Sequence, residues 1–191
     1  MEVKREISIL TIVAIAGILM ILAIAPAWTA EEIQQLSLGA EAPALEVNVL
    51  KGEAVSMGGD AEGHVTVVEF WATWCGPCRV SIPHLTELQN KYGDRGLRVI
   101  GITDEEKDIV APFVAEMGDT MAYTVALDPG QKTMSRYLGG FGVNSIPHAF
   151  VVDKSGKIVW HGNPLDGALE VHVAAAIGGR GGKTEAGADT K

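Results

Sequence analysis

The stretch Val65-Thr66-Val67-Val68-Glu69-Phe70-Trp71-Ala72-Thr73-Trp74-Cys75-Gly76-Pro77-Cys78 decides how this chain is read. Its first six residues are β-branched or apolar apart from Glu69, which predicts a buried strand. Beyond it, Ile82, Leu85 and Leu88 recur at helical spacing, so residues 78–92 are predicted as a helix that Gly93 stops. The cysteine pair therefore opens a helix just after a strand. Unpaired backbone N–H groups and the positive end of the helix dipole favour an anion there. A thiol so placed has a lowered pKa and carries more reactive thiolate. Gly76 and Pro77 suit the turn, because the missing proline N–H costs nothing in a first helical turn. Cys75 is expected to be the more exposed of the two, at the helix mouth, with Cys78 shielded one turn inside. Attack by Cys75 on a disulfide would give a mixed disulfide that Cys78 resolves. Taken alone, Cys-x-x-Cys also fits half a metal site or a structural disulfide.

Glu69 interrupts the apolar strand. An ionised carboxylate there costs several kcal/mol unless it is satisfied. Either Glu69 faces solvent, or it is a buried acid with a raised pKa that relays a proton to or from Cys78. Its large apolar neighbours favour the buried acid.

Outward from this stretch, strands and helices alternate. Residues 44–50, followed by the Lys51-Gly52-Glu53 turn, suggest a hairpin with residues 54–57. Residues 97–102 and 123–127 read as strands, and 105–117 and 131–138 as helices, with Pro112 marking a kink or a late start. Residues 149–152 and 157–161 flank the tight turn Asp153-Lys154-Ser155-Gly156, and residues 165–177 form a terminal helix. This order predicts an α/β fold: a three-layer α/β/α sandwich with a mixed central sheet.

Composition bounds the rest. A chain of 191 residues suggests one domain with appendages. Fifteen Lys and Arg against 24 Asp and Glu leave a net charge of −9, which argues against nucleic acid as a partner. A hydrophobic share of 47% excludes a wholly disordered chain. Two cysteines exclude a disulfide-dense scaffold and a four-thiolate metal site, and the scattered His64, His161 and His172 suggest no metal centre.

Residues 7–25 carry no charge for 19 positions, with Lys4 and Arg5 before them. That length suffices to span a membrane, while Ala25-Pro26-Ala27 also fits a cleavage site. Residues 1–30 are thus a signal anchor or a long signal peptide, and in both readings the remainder is exported. Residues 31–38 read as a linker, 39–177 as the folded domain, and 178–191 as a Gly-rich flexible tail. The membrane is a partner only if the first segment stays uncleaved.

The run Val68 to Cys78 resembles the active-site strand and turn of the thioredoxin superfamily. The likeness continues to Pro83 and resumes at Val143-Asn144-Ser145-Ile146-Pro147 and at the hairpin from Phe150 to Ile158. Within the superfamily the chain is most similar to the exported TlpA/ResA-like proteins, on its export segment, its Gly39-Ala40-Glu41-Ala42-Pro43 opening and a helix–strand insert between Asp104 and Leu127. The resemblance implies a thioredoxin-like fold with an N-terminal β-hairpin and that insert. It implies a cis Ile146-Pro147 peptide and a proton-relaying acid at Glu69, where many TlpA-like proteins have none. It also implies a substrate surface of Trp74, Gly76, Pro77, Ile146 and Pro147. His148 stands where the family often has Thr, and Arg79 reads as an exposed residue or as electrostatic help to Cys75.

The resulting expectation is an extracytoplasmic thiol-disulfide oxidoreductase with no cofactor beyond a redox-active Cys75–Cys78 disulfide. Gly-Pro between the cysteines resembles reducing members. A reductase in an oxidising compartment needs recharging, for which a membrane thiol-transfer protein would be the electron donor. Its partners would be disulfide-bonded protein substrates such as apocytochrome c. Alternatives are an oxidase or isomerase of the same fold, or a copper-handling thiol module. The Pro-x-x-x-Thr-x-x-Cys pattern of peroxiredoxins is absent.

Overall fold

Val65–Phe70 forms a strand, β2, in which every residue is buried. The computed structural model describes residues 35–55 and 63–178; the segment 7–25, Met57 and the tail beyond Gly178 lie outside the described residues. The other strands are β1 (Asn48–Lys51), β3 (Leu97–Thr103), β4 (Thr124–Leu127), β5 (His148–Val152) and β6 (Ile158–Gly162). They form one sheet in the order β1-β4-β3-β2-β5-β6. Strands β2, β3 and β4 run parallel, whereas β1, β5 and β6 join antiparallel. The sheet is mixed, and β2 lies inside it with a partner on each side, which is why its sequence is apolar on both faces.

Four helical segments cover the sheet: α1 (Gly76–Tyr92), α2 (Lys107–Met117), α3 (Lys132–Met134, continuing as the π-helical Ser135–Gly139) and α4 (Ala168–Ile177). On one face Val65, Val67 and Trp71 pack with Ile82 and Leu85 of α1, Val110 of α2 and Leu169 and Val173 of α4. On the other, Val68, Phe70, Ile100 and Phe150 pack with Tyr137 and Leu138 of α3, backed by Leu36, Leu45 and Val47. The fold is thioredoxin-like, as the resemblance implied.

Several boundaries move for physical reasons. Among the described residues no such hairpin is seen: β1 pairs with β4, and residues 54–55 carry no strand. Gly52, at φ +85°, passes so close to Thr124 that a Cβ would lie 2.7 Å from its Oγ1. The turn thus runs over β4, and the hydroxyl of Thr124 donates to the Glu53 carbonyl at 3.1 Å. Alternation marks a strand but not its partner. Helix α2 begins two residues late because the Glu105 carboxylate is held elsewhere, and Pro112 is accommodated within it. Gln35 and Leu36, within the expected linker, both donate to the Gly140 carbonyl.

Phe150 carries the second core. Its ring lies 5.2 Å from Tyr137, 5.4 Å from Phe141 and 6.0 Å from Phe70. Phe150→Ala is expected to lower unfolding free energy by about 3–5 kcal/mol, read by urea denaturation.

Candidate redox site

The end of β2 carries the chain through Trp71 and Thr73 to Cys75, which caps α1. The Cys75 backbone is extended (φ −79°, ψ 104°), and its Sγ accepts the Cys78 N–H at 3.2 Å. A sulfur thus takes the place that Ser or Asp fills at an ordinary helix start. Gly76 and Pro77 occupy the first helical positions and are exposed. Cys75 and Cys78 are joined by a disulfide with Cα atoms 5.2 Å apart. Both cysteines are buried: Cys75 is 4% exposed and Cys78 0%. Cys75 is thus the more exposed of the two, as expected at the helix mouth, yet it too belongs to the buried cluster of this face, against which Ile146 packs. The Ile146-Pro147 peptide is cis. Pro147 is buried, while Ile146 is partly buried and packs against both cores. Trp74, by contrast, stands 73% exposed.

The loop before Cys75 is held by residues that the motif does not reveal. Glu105, just past β3, accepts the Thr73 N–H at 2.6 Å and the Thr73 hydroxyl at 2.7 Å. From the other side, Arg79 Nε donates to the Thr73 carbonyl at 2.8 Å, and its guanidinium lies 5.1 Å over the Phe113 ring. Arg79 is thus exposed but occupied in fixing the loop.

Glu69 is fully buried beneath α1. Burial pushes its carboxyl up to about 8, partly opposed by a hydrogen bond with Ser81. Ser81 Oγ lies 2.8 Å from the Cys78 carbonyl and 3.4 Å from Glu69 Oε1. One hydroxyl proton serves one acceptor at a time. A protonated Glu69 resolves the conflict by donating to the Ser81 oxygen while Ser81 donates to Cys78. Ser81 was legible as the inward position one turn beyond Cys78, but serine there has no distinctive signal.

His161 is not isolated, contrary to its scattered place in the sequence. His148 Nε2 lies 3.0 Å from His161 Nδ1, across β5 and β6. The ring of His161 also stacks on Phe150. Burial and the neighbouring His161 push His148 down to about 4, and burial lowers His161 as well. His148 follows Pro147 but lies on the sheet face away from α1, because it pairs in register with Phe70.

These groups give opposite pH slopes. The folded His148 binds its proton less tightly than an unfolded histidine, so stability rises from about pH 4 to about 6.5. The folded Glu69 binds its proton more tightly, so it lowers stability as pH rises from 4.5 towards about 8. Only the Glu69 effect remains above about pH 6.5. With the disulfide intact, Glu69→Gln is expected to abolish the fall in unfolding free energy between about pH 6.5 and 8.5 in urea denaturation. An unchanged slope would show that Glu69 is not the group responsible.

Residues 38–161 match the profile of the AhpC/TSA family. Thiol-disulfide oxidoreductase ResA of Bacillus anthracis is 36% identical over 127 residues, spanning 66% of this chain and 69% of that protein. Thiol:disulfide interchange protein HelX of Rhodobacter capsulatus is 38% identical over 125 residues, spanning 63% of this chain and 65% of HelX. A Chlorobium tepidum crystal structure described as a thiol:disulfide interchange protein DsbE superposes with a TM-score of 0.60 at 29% identity, covering 75% of this chain and 99% of that one. The chain therefore belongs to the AhpC/TSA family and is a thiol-disulfide oxidoreductase of the kind that ResA and HelX represent.

Proposed function

We propose that the protein is an extracytoplasmic reductase of protein disulfides, acting through the Cys75–Cys78 couple. The observation that carries the reading is the Cys75 sulfur at the N-cap of α1, where it accepts the Cys78 N–H. The same donor and the helix dipole would stabilise a Cys75 thiolate. The uncharged segment 7–25 supports export; among the described residues no helix is long and apolar enough to cross a membrane.

In the reduced state the Cys75 thiolate attacks one sulfur of a substrate disulfide. A Cys75–substrate disulfide forms, and the first substrate thiolate leaves and takes a proton. The Cys78 thiol gives its proton to the Glu69 carboxylate. The Cys78 thiolate then attacks Cys75 Sγ, and the second substrate thiolate departs and takes the proton held by Glu69, which returns to its carboxylate. The substrate gains two electrons and two protons, and the protein is left as its disulfide. A membrane dithiol donor recharges it by the reverse exchange. Trp74, Gly76 and Pro77 flank the cysteines in sequence and are exposed; in this reading they form the substrate surface together with Ile146 and the cis Pro147. The surface suits an extended segment such as the haem-attachment region of an apocytochrome c.

Gly-Pro between the cysteines favours the reducing direction. A redox titration is expected to give a midpoint near −270 mV, and one near −120 mV would make the protein an oxidant. In an insulin-reduction assay Cys75→Ser is expected to lose all turnover. Cys78→Ser is expected to accumulate a mixed disulfide at Cys75, visible by mass spectrometry.

A further inference from the structure

Three buried polar atoms have no hydrogen-bond partner among the described residues of the sheet face under α1: Glu69 Oε2, Trp71 Nε1 and Tyr123 Oη. Buried polar side chains are ordinarily paired, and the strand register brings these three together. Glu69 stands opposite Gly101 in the parallel β2–β3 pair, and Gly101 stands opposite Val125 in β3–β4. Trp71 is two residues after Glu69, and Tyr123 two before Val125, so all point to one face. Gly101 lets the Trp71 and Tyr123 rings close onto the sheet beside Glu69. A Cβ there would lie 3.1 Å from Trp71 Nε1 and 3.1 Å from Tyr123 Cε2. The position opposite Glu69 on β5 is also small, Ala149.

The groups placed around Glu69 are Ser81 from α1, which also binds the Cys78 carbonyl, Gly101 from β3 and Ala149 from β5 in register with it, Trp71 from the end of β2, and Tyr123 ahead of β4. None is a cation. Tyr123 senses Glu69: burial raises its hydroxyl pKa and the Glu69 charge raises it further.

We propose that Tyr123 is a positioning residue for Glu69, its hydroxyl and the Trp71 indole N–H closing a buried hydrogen-bond network on Oε2 above Gly101, bridged by an internal water. This rests on the proposed proton-accepting role of Glu69 and deepens it. An indole N–H only donates, whereas a phenol donates or accepts. A bridging water needs two to four polar partners, and this cluster supplies three. Towards the carboxylate, the network donates and favours the form that receives the Cys78 proton. Towards the protonated acid, the phenol turns to accept. The Glu69 proton changes hands without any strand moving.

The test uses the full chain with 13C-labelled Glu side chains, in the oxidised state. Tyr123→Phe keeps the ring and removes a buried hydroxyl, so the fold is retained. The Glu69 carboxyl midpoint is expected to rise by on the order of one pH unit. The pH profile of mixed-disulfide resolution should move in the same direction. An unchanged Glu69 midpoint in Tyr123→Phe would overturn the proposal. So would additive effects on the profile when Tyr123→Phe is combined with Glu69→Gln, since the hydroxyl acts through the carboxyl. Should Glu69→Gln alone leave the profile flat against the parent, the proton-acceptor reading fails, while the carboxyl midpoint still reports whether Tyr123 holds Glu69.

Discussion

A helix start with a sulfur for its cap is the constraint around which this molecule is arranged. The Cys78 N–H needs an acceptor, and Cys75 Sγ supplies it. For that contact to exist, β2 must deliver the chain to one point above the sheet, and the loop between them must not wander. Glu105 and Arg79 bind Thr73 from both sides, and the buried length of β2 fixes where that loop begins. The acid behind the pair follows from the same placement. A residue on the α1 face of a central strand is cut off from water by the helix that carries the cysteines, so an acid there is driven towards its neutral form.

Much of this was legible in the sequence because it is local. Val65–Phe70 was read to the residue, since a short β-branched run has few other uses. The cysteine pair and Pro77 placed the start of α1 within two residues, at 78 against the observed Gly76. Glu69 stood out because a charge amid Val and Phe demands an explanation. What escaped was non-local. The partner of β1 is a strand some 75 residues away, chosen by the passage of Gly52 over Thr124, and alternation says nothing about that. The meeting of His148 and His161 depends on the register of β5 against β6. Tyr123 and Gly101 matter only because parallel pairing sets them beside Glu69, and neither is unusual in its own segment.

Cys75 is the more exposed of the two cysteines, as its place at the helix mouth implies, but how little of either is exposed was not legible. A helix mouth is open when only the helix is considered. Here both cysteines lie in the buried cluster of the α1 face, and Ile146, from a distant part of the chain, packs against that cluster. Electrostatic activation and steric access were joined in one expectation, yet they arise from different elements. The helix tunes the sulfur, and the surrounding loops decide how much of it is seen.

That narrow opening has a bearing on timing. A cysteine showing 4% of its surface is reached more readily by a slender, extended strand of polypeptide than by a group lodged inside a finished globule. An entrance of that size favours partners that still have an extended segment to offer.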